Sequence, residues 1–255
     1  MTDLASLSIP PTKDWAAYFT QNPRLVPDFS QEIPLSVEER RRIFPSLRAF
    51  AQGECSDGAH LLSAAASYAA KTGDQDYPPA LTRFIAEENR HSAYLRAFLA
   101  FHGALPRTAP APDSPTEFAP MTEFSRPSRL DKCFRRLRRL GSLKCEITVL
   151  LTAEIIALSY YDALSACTSS PALKAICAKM LADEPPHILF GSQTLAKLPR
   201  RPWDALLRRT LMEITLRAVW PPLRAVFAAG EFPFSRLRRE SLAYLNQSVS
   251  LVSQE

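Results

Sequence analysis

The chain has 255 residues, 46% hydrophobic and 22% charged, with 31 Lys and Arg against 26 Asp and Glu for a net charge of +5. That composition suits a globular protein with a sizeable core and excludes a collagen-like or intrinsically disordered chain. Only 7 Gly are present, none in a GxGxxG or GxxxxGK pattern, so no glycine cradle for a phosphate is encoded. Cys55, Cys133, Cys145, Cys167 and Cys177 form an odd set without a CxxC, neither a disulfide framework nor a zinc site. The opening residues MTDLASLSIPPTKDW have no basic segment followed by an apolar one, so no signal peptide is visible and a cytoplasmic location is expected.

Residues 1–35 carry Pro10, Pro11, Pro23, Pro27 and Pro34 and read as an irregular N-terminal extension with one short helix around Trp15–Phe19. Ser36 followed by Glu39 is a capping box. It opens a helix whose stripe passes through Leu47, Phe50, Ala51, Gly58, Leu61, Ala65 and Tyr68 and ends at Gly73 and Asp74. Pro78 and Pro79 suit the first turn of a second helix, running to about His102. Six prolines across 103–128 mark a long connection. A third helix runs from about Ser142 to Ser169–Ser170, and Pro171 starts a fourth that ends near Pro199. Its most apolar neighbour, Ile147–Tyr161, is short for a bilayer and holds Glu154 at its middle, so no membrane span is expected. Two further helical segments follow at about 203–229, interrupted at Pro221 and Pro222, and 234–252. No strand-like alternation occurs. The expected fold is all-α: a four-helix bundle of two hairpins joined by a long crossover over 36–199, and a C-terminal helical extension over 200–255 packed on it.

Four acidic residues occupy positions where an amphipathic helix normally places Leu: Glu54, Glu88, Glu154 and Glu184. A buried carboxylate without a partner costs several kcal/mol. No Lys or Arg shares these stripes, which disfavours two ordinary ion-pair networks. Glu88 and Glu184 each have a His three residues on, His91 and His187, and residues three apart share a helix face. Glu54 and Glu88 lie on the two arms of one hairpin, and Glu154 and Glu184 on the arms of the other. Folding both hairpins brings four carboxylates and two imidazoles together, the ligand set of a ferritin-like dimetal bundle.

The segment Glu87, Glu88, Asn89, Arg90, His91 resembles the EENRH segment of the soluble acyl-carrier-protein desaturases, and Asp183, Glu184 and His187 are similar to their DExxH repeat. The wider resemblance is to the ferritin-like di-iron carboxylate superfamily, over about 36–199. It implies that Glu54, Glu88, His91, Glu154, Glu184 and His187 ligate two metal ions, with Glu88 and Glu184 bridging them. Asp183 would accept a hydrogen bond from the far nitrogen of His91. The metal is expected to be Fe, with Mn/Fe as the alternative, and O2 the co-substrate. The implied activity is that of an oxidase or oxygenase acting on a small-molecule or carrier-bound organic substrate, supplied by an external electron donor. The competing readings are a ferroxidase or peroxidase-type metal-handling protein and a non-catalytic bundle that binds a partner. A homodimer is compatible with the sequence; neither a membrane nor a nucleic-acid partner is expected.

Pro185 and Pro186 fall inside the second ExxH and remove two backbone donors. A kink or bulge at the site is expected in preference to displacement of His187. His60 and His102 lie away from the cluster, and Tyr161 reads as a core tyrosine. Trp220, Phe227, Phe232 and Phe234 either wall an apolar channel or simply pack. Arg135, Arg136, Arg138 and Arg139, with the pairs at 200–201, 208–209 and 238–239, read as a solvated basic face more readily than as a dock for an acidic partner.

Overall fold

The computed structural model describes residues 14–55, 58–105 and 142–253. Eight helices, and no strand, occur among them: α1 (Trp15–Gln21), α2 (Val37–Gly53), α3 (Ala59–Thr72), α4 (Tyr77–Phe101), α5 (Leu143–Cys167), α6 (Pro171–Lys197), α7 (Asp204–Ala229) and α8 (Phe234–Ser253). The chain divides into two units. One holds the described residues up to 105 and takes in Thr168–Ile176; the other holds the remainder from 142 onward. The Pro-rich connection after residue 105 and the arginines at 135–139 fall outside the described residues.

In the first unit, Ser36 caps α2 by accepting the Glu39 N–H at 3.1 Å. Only half of the capping box is used. The Glu39 carboxylate turns away and accepts from the Thr168 hydroxyl, the Ser169 N–H and the Ser169 hydroxyl, each at 2.8 Å. The loop that leads into α6 is thereby fastened to the start of α2. Burial pushes this carboxyl up, but the Ser169 and Thr168 donors, helped by Arg42, outweigh it and hold it below the ordinary glutamate value of 4.5.

A single helix over 36–72 is expected from the stripe, and the structure breaks it. α2 ends at Gly53, and Gly58 opens α3 with φ of +62°. A Cβ on Gly58 would also stand 2.4 Å from Ile85 Cδ1. Left-handed backbone and close approach together make glycine the fitting residue there. Gly73, at φ of +81°, ends α3 as expected.

Helix α4 carries its proline pair in its first turn and buries Leu81, Phe84, Leu95 and Phe98. Against it pack α1, with Phe19 edge-on to Phe84, and α2, whose Ala51 carbonyl accepts the Ser92 hydroxyl at 2.6 Å. His102 caps α4, and its Nε2 lies 3.0 Å from Glu32 Oε1.

The second unit is built on α5. This helix is long and apolar enough to cross a membrane, longer than the stretch expected from sequence, yet 78% of its most apolar window is buried. Apolar on all sides, it is a core helix. α7 and α8 cover it, and Gly230 brings the end of α7 so close that a Cβ would meet the Ala163 carbonyl oxygen at 2.4 Å. Trp220 stacks on Phe227 and meets Phe234 edge-on, while Phe227 and Phe232 are fully buried. These rings pack on one another, Trp220 and Phe234 half-buried at the margin of the core. Pro221 and Pro222 do not interrupt α7, which is α-helical throughout.

Gly58→Ala is expected to cost about 1–2 kcal/mol. Gly53→Ala, in right-handed helix with nothing within 4 Å of the added Cβ, is expected to be neutral or to stabilise by about 0.5–1 kcal/mol. Urea unfolding of both variants checks the pair. Because Glu39 is held below its ordinary range, the stability it contributes is present above that range and is lost as pH falls through the lower folded value. Glu39→Gln should therefore flatten the acid side of a plot of thermal midpoint against pH.

Candidate metal centre

Within the second unit, α5 presents Glu154 and α6 presents Glu184 and His187. All three are buried, Glu184 completely. His187 Nδ1 stands 3.6 Å from Glu184 Oε2 and 3.8 Å from Glu154 Oε2. One ligand atom from each of the three residues lies within 4.8 Å of the others. Helix spacing explains the arrangement: Glu184 and His187 are three residues apart on α6, so carboxylate and imidazole leave the same face.

The second ExxH is not displaced by its prolines. α6 remains α-helical through Pro185 and Pro186, with neither a π-bulge nor a break there, and His187 stays on the Glu184 face. No π-bulge forms although the two prolines remove two i→i−4 bonds, and the helical assignment continues between buried flanking side chains. Ile176, Met180 and Ile188 are all fully buried on this helix.

Burial, then the charge of Glu154 and its hydrogen bond, push the Glu184 carboxyl well above the ordinary glutamate value, and His187 only partly opposes them. The donor set suits a divalent cation. Adjacent donors about 2.1 Å from one octahedral ion stand about 3 Å apart and opposite ones about 4 Å apart, and the separations of 3.6 and 3.8 Å lie between the two. Carboxylate oxygen with imidazole nitrogen, and no thiolate in the group, is a donor set for a first-row divalent metal.

In the first unit, α4 presents Glu88 and His91, both buried, with His91 Nδ1 3.7 Å from Glu88 Oε1. This is the second ExxH-type pair, built by the same spacing. Glu54 is differently placed from expectation. The break after Gly53 makes it the half-buried C-cap of α2 rather than a mid-helix residue, and among the described residues it joins no group of three candidate ligands.

Asp183 has a partner that the desaturase-like pattern does not assign to it: Lys179 Nζ donates to its Oδ1 at 2.6 Å. That contact spans i,i+4 and was available in the spacing. Glu87, quoted in the motif but given no role, is fully buried; it accepts from Asn22 Nδ2 and lies 3.5 Å from Arg90. Asn22 ends α1, 65 residues away, and nothing local announces that pairing. Glu146, buried in the first turn of α5, also escapes the ExxH pattern. His60 is exposed, and His102 is engaged with Glu32. Tyr161 is fully buried two turns from Glu154.

Neither a protein-family profile nor a curated protein sequence matches the chain. Among solved structures, the fold is similar to that of a variant R2-like ligand-binding oxidase with an aerobically reconstituted Mn/Fe cofactor. The TM-score is 0.58 at 18% identity, covering 100% of this chain and 99% of that one. The fold is ferritin-like. At that identity the likeness concerns the path of the helices, and the chemistry must be argued from the buried acids and histidines.

Glu184→Gln removes a carboxyl that burial and Glu154 disfavour. In chelator-stripped protein it is expected to raise unfolding free energy by about 1–3 kcal/mol, measured by urea denaturation. A loss of stability would mean that the carboxylate is fully compensated by its protein neighbours.

Proposed function

We propose that the protein is a non-haem dimetal oxidoreductase that activates O2 and oxidises an organic substrate. Glu54, Glu88, His91, Glu154, Glu184 and His187 would hold two ions, Fe at both positions or Mn with Fe. The observation that carries this reading is the buried group of Glu154, Glu184 and His187, two carboxylates beside an imidazole with ligand atoms within 4.8 Å of one another. The matching Glu88 and His91 pair on α4, the desaturase-like motifs around both, and the ferritin-like fold add support.

When bound, a redox-active ion pair supplies the electrons that reduce O2 and the oxidising power turned on the substrate. The chain's own part is binding, exclusion and proton handling. Glu184, disfavoured as an anion beside Glu154, holds a proton at its carboxyl in the absence of a cation and gives it up on metal uptake. Leu151, Leu158, Met180 and Ile188, buried on the same two helices, keep water from the acids. Lys179 fixes Asp183 at the turn that carries Glu184. An organic substrate, small or carrier-bound, and an external electron donor complete the reading; the EENRH-like segment is what favours a desaturase- or oxygenase-type reaction over metal storage.

Anaerobic loading with ferrous iron should give about two ions per chain. Glu88→Ala and Glu184→Ala should each weaken binding about tenfold or more, read by elemental analysis. On O2 exposure, an oxidised absorbance that decays faster with a candidate substrate supports the oxygenase. Continued iron turnover to mineral would replace it with a ferroxidase, and unchanged metal content in both variants would overturn the site.

A further inference from the structure

Helix α7 is apolar on two faces. Its inner face buries Met212, Leu216, Leu223 and Phe227. Its outer face carries Leu206, Leu207 and Ile214, 67%, 57% and 61% exposed, with Trp203 at the N-cap 54% exposed. At 3.6 residues per turn these four fall on one stripe about 100° wide. The stripe continues through Pro221, Ala225 and Ala228, which with Trp220 line an open groove. A solvated helix face normally carries Lys and Glu there, and exposed large side chains gathered in one patch mark a contact surface.

The charge around the stripe is one-sided. Arg200 and Arg201 are exposed just before the helix, Arg224 at the stripe's edge and Arg209 beyond it, while Arg217 lies within the stripe. The acids of the same segment are engaged: Asp204 by Lys144, and Glu213 by Arg238 and by Arg217 at 3.0 Å. Arg201 sits over the Trp203 ring, 6.0 Å from its centroid. Two copies meeting by this face would bring their arginines together, which opposes self-association. A ridge of Trp, Leu and Ile edged by guanidinium groups matches the boundary between acyl chains and anionic headgroups instead.

We propose that the outer face of α7 docks the protein on an anionic lipid surface, with Trp203, Leu206, Leu207 and Ile214 entering the headgroup boundary and the flanking arginines on lipid phosphates. This is contact with a surface, independent of whether any helix spans a bilayer, and it revises the expectation of no membrane partner. Arginine edges and an apolar crest act together, so neither neutral lipid nor charge alone is enough.

The test is co-sedimentation of the full chain with sucrose-loaded vesicles of phosphatidylglycerol mixed with phosphatidylcholine, against phosphatidylcholine alone. The protein should sediment with the anionic vesicles and remain in solution with the neutral ones. The double variant Leu207→Ser with Ile214→Ser, at exposed positions where folding is not at stake, should weaken partitioning about tenfold or more. Brominated phosphatidylglycerol should quench tryptophan emission in the parent chain, and Trp203→Phe should reduce that quenching while still sedimenting. Equal sedimentation with both vesicle types, or none with either, overturns the proposal. So does a dimer in analytical ultracentrifugation that the double variant dissociates, which would assign the face to a second copy.

Discussion

The constraint on which the rest depends is the burial of Glu184 beside Glu154. A lone carboxylate in a protein interior is costly, and a second one within reach adds like-charge repulsion. His187 offsets part of this and cannot neutralise both acids. A folded chain has few ways to keep such a pair: a shared proton, a neighbouring cation side chain, or a metal ion. Lys179, five residues before Glu184, donates to Asp183.

The helix that carries Glu184 tolerates a second cost for the same arrangement. Pro185 and Pro186 remove the donors that would have reached the carbonyls of Leu181 and Ala182, and an interior proline commonly costs about 3 kcal/mol or more. Residues on either side, Met180 and Ile188, are fully buried and anchor the helix. The spacing of Glu184 and His187 survives because it depends on helix phase, which two missing hydrogen bonds do not alter. Tertiary packing overrides local propensity here, as it does at Pro221 and Pro222 in α7.

The elements legible in the sequence are those with local punctuation. Ser36, Gly73, the Pro78 and Pro79 pair and Pro171 each fix a helix end through a cap, a left-handed backbone or a missing donor, and those ends fall within a residue or so of expectation. The ExxH pairs are legible for a related reason: a spacing of three is a local geometric fact. The break between α2 and α3 was hidden because Ala51, Gly58 and Leu61 keep helical phase across it, so the apolar stripe reads as continuous. Gly53 and Gly58 were the signal, and stripe continuity outweighed it. Glu54 consequently moves from the middle of a helix to its cap. The turn of Glu39 towards Ser169 and the bond from Asn22 to Glu87 have no local signature at all, since each depends on segments far apart in the chain.

Fold and site obey different tolerances, which explains how a chain with 18% identity to a solved oxidase can follow its whole length. Apolar positions need only size and hydrophobicity to keep helices in place, and volume-conserving exchange leaves them intact. Buried acids and histidines allow no such exchange, because their charge and hydrogen bonding belong to particular donor and acceptor atoms. α7 shows the same logic turned outward: its inner face keeps the core, whereas its outer face holds Leu and Ile where either Lys or Glu would serve the fold equally well. Core packing cannot account for side chains that touch no core. A residue type that the fold does not demand, repeated at one helical period and edged by a single sign of charge, points to a constraint imposed from outside the molecule.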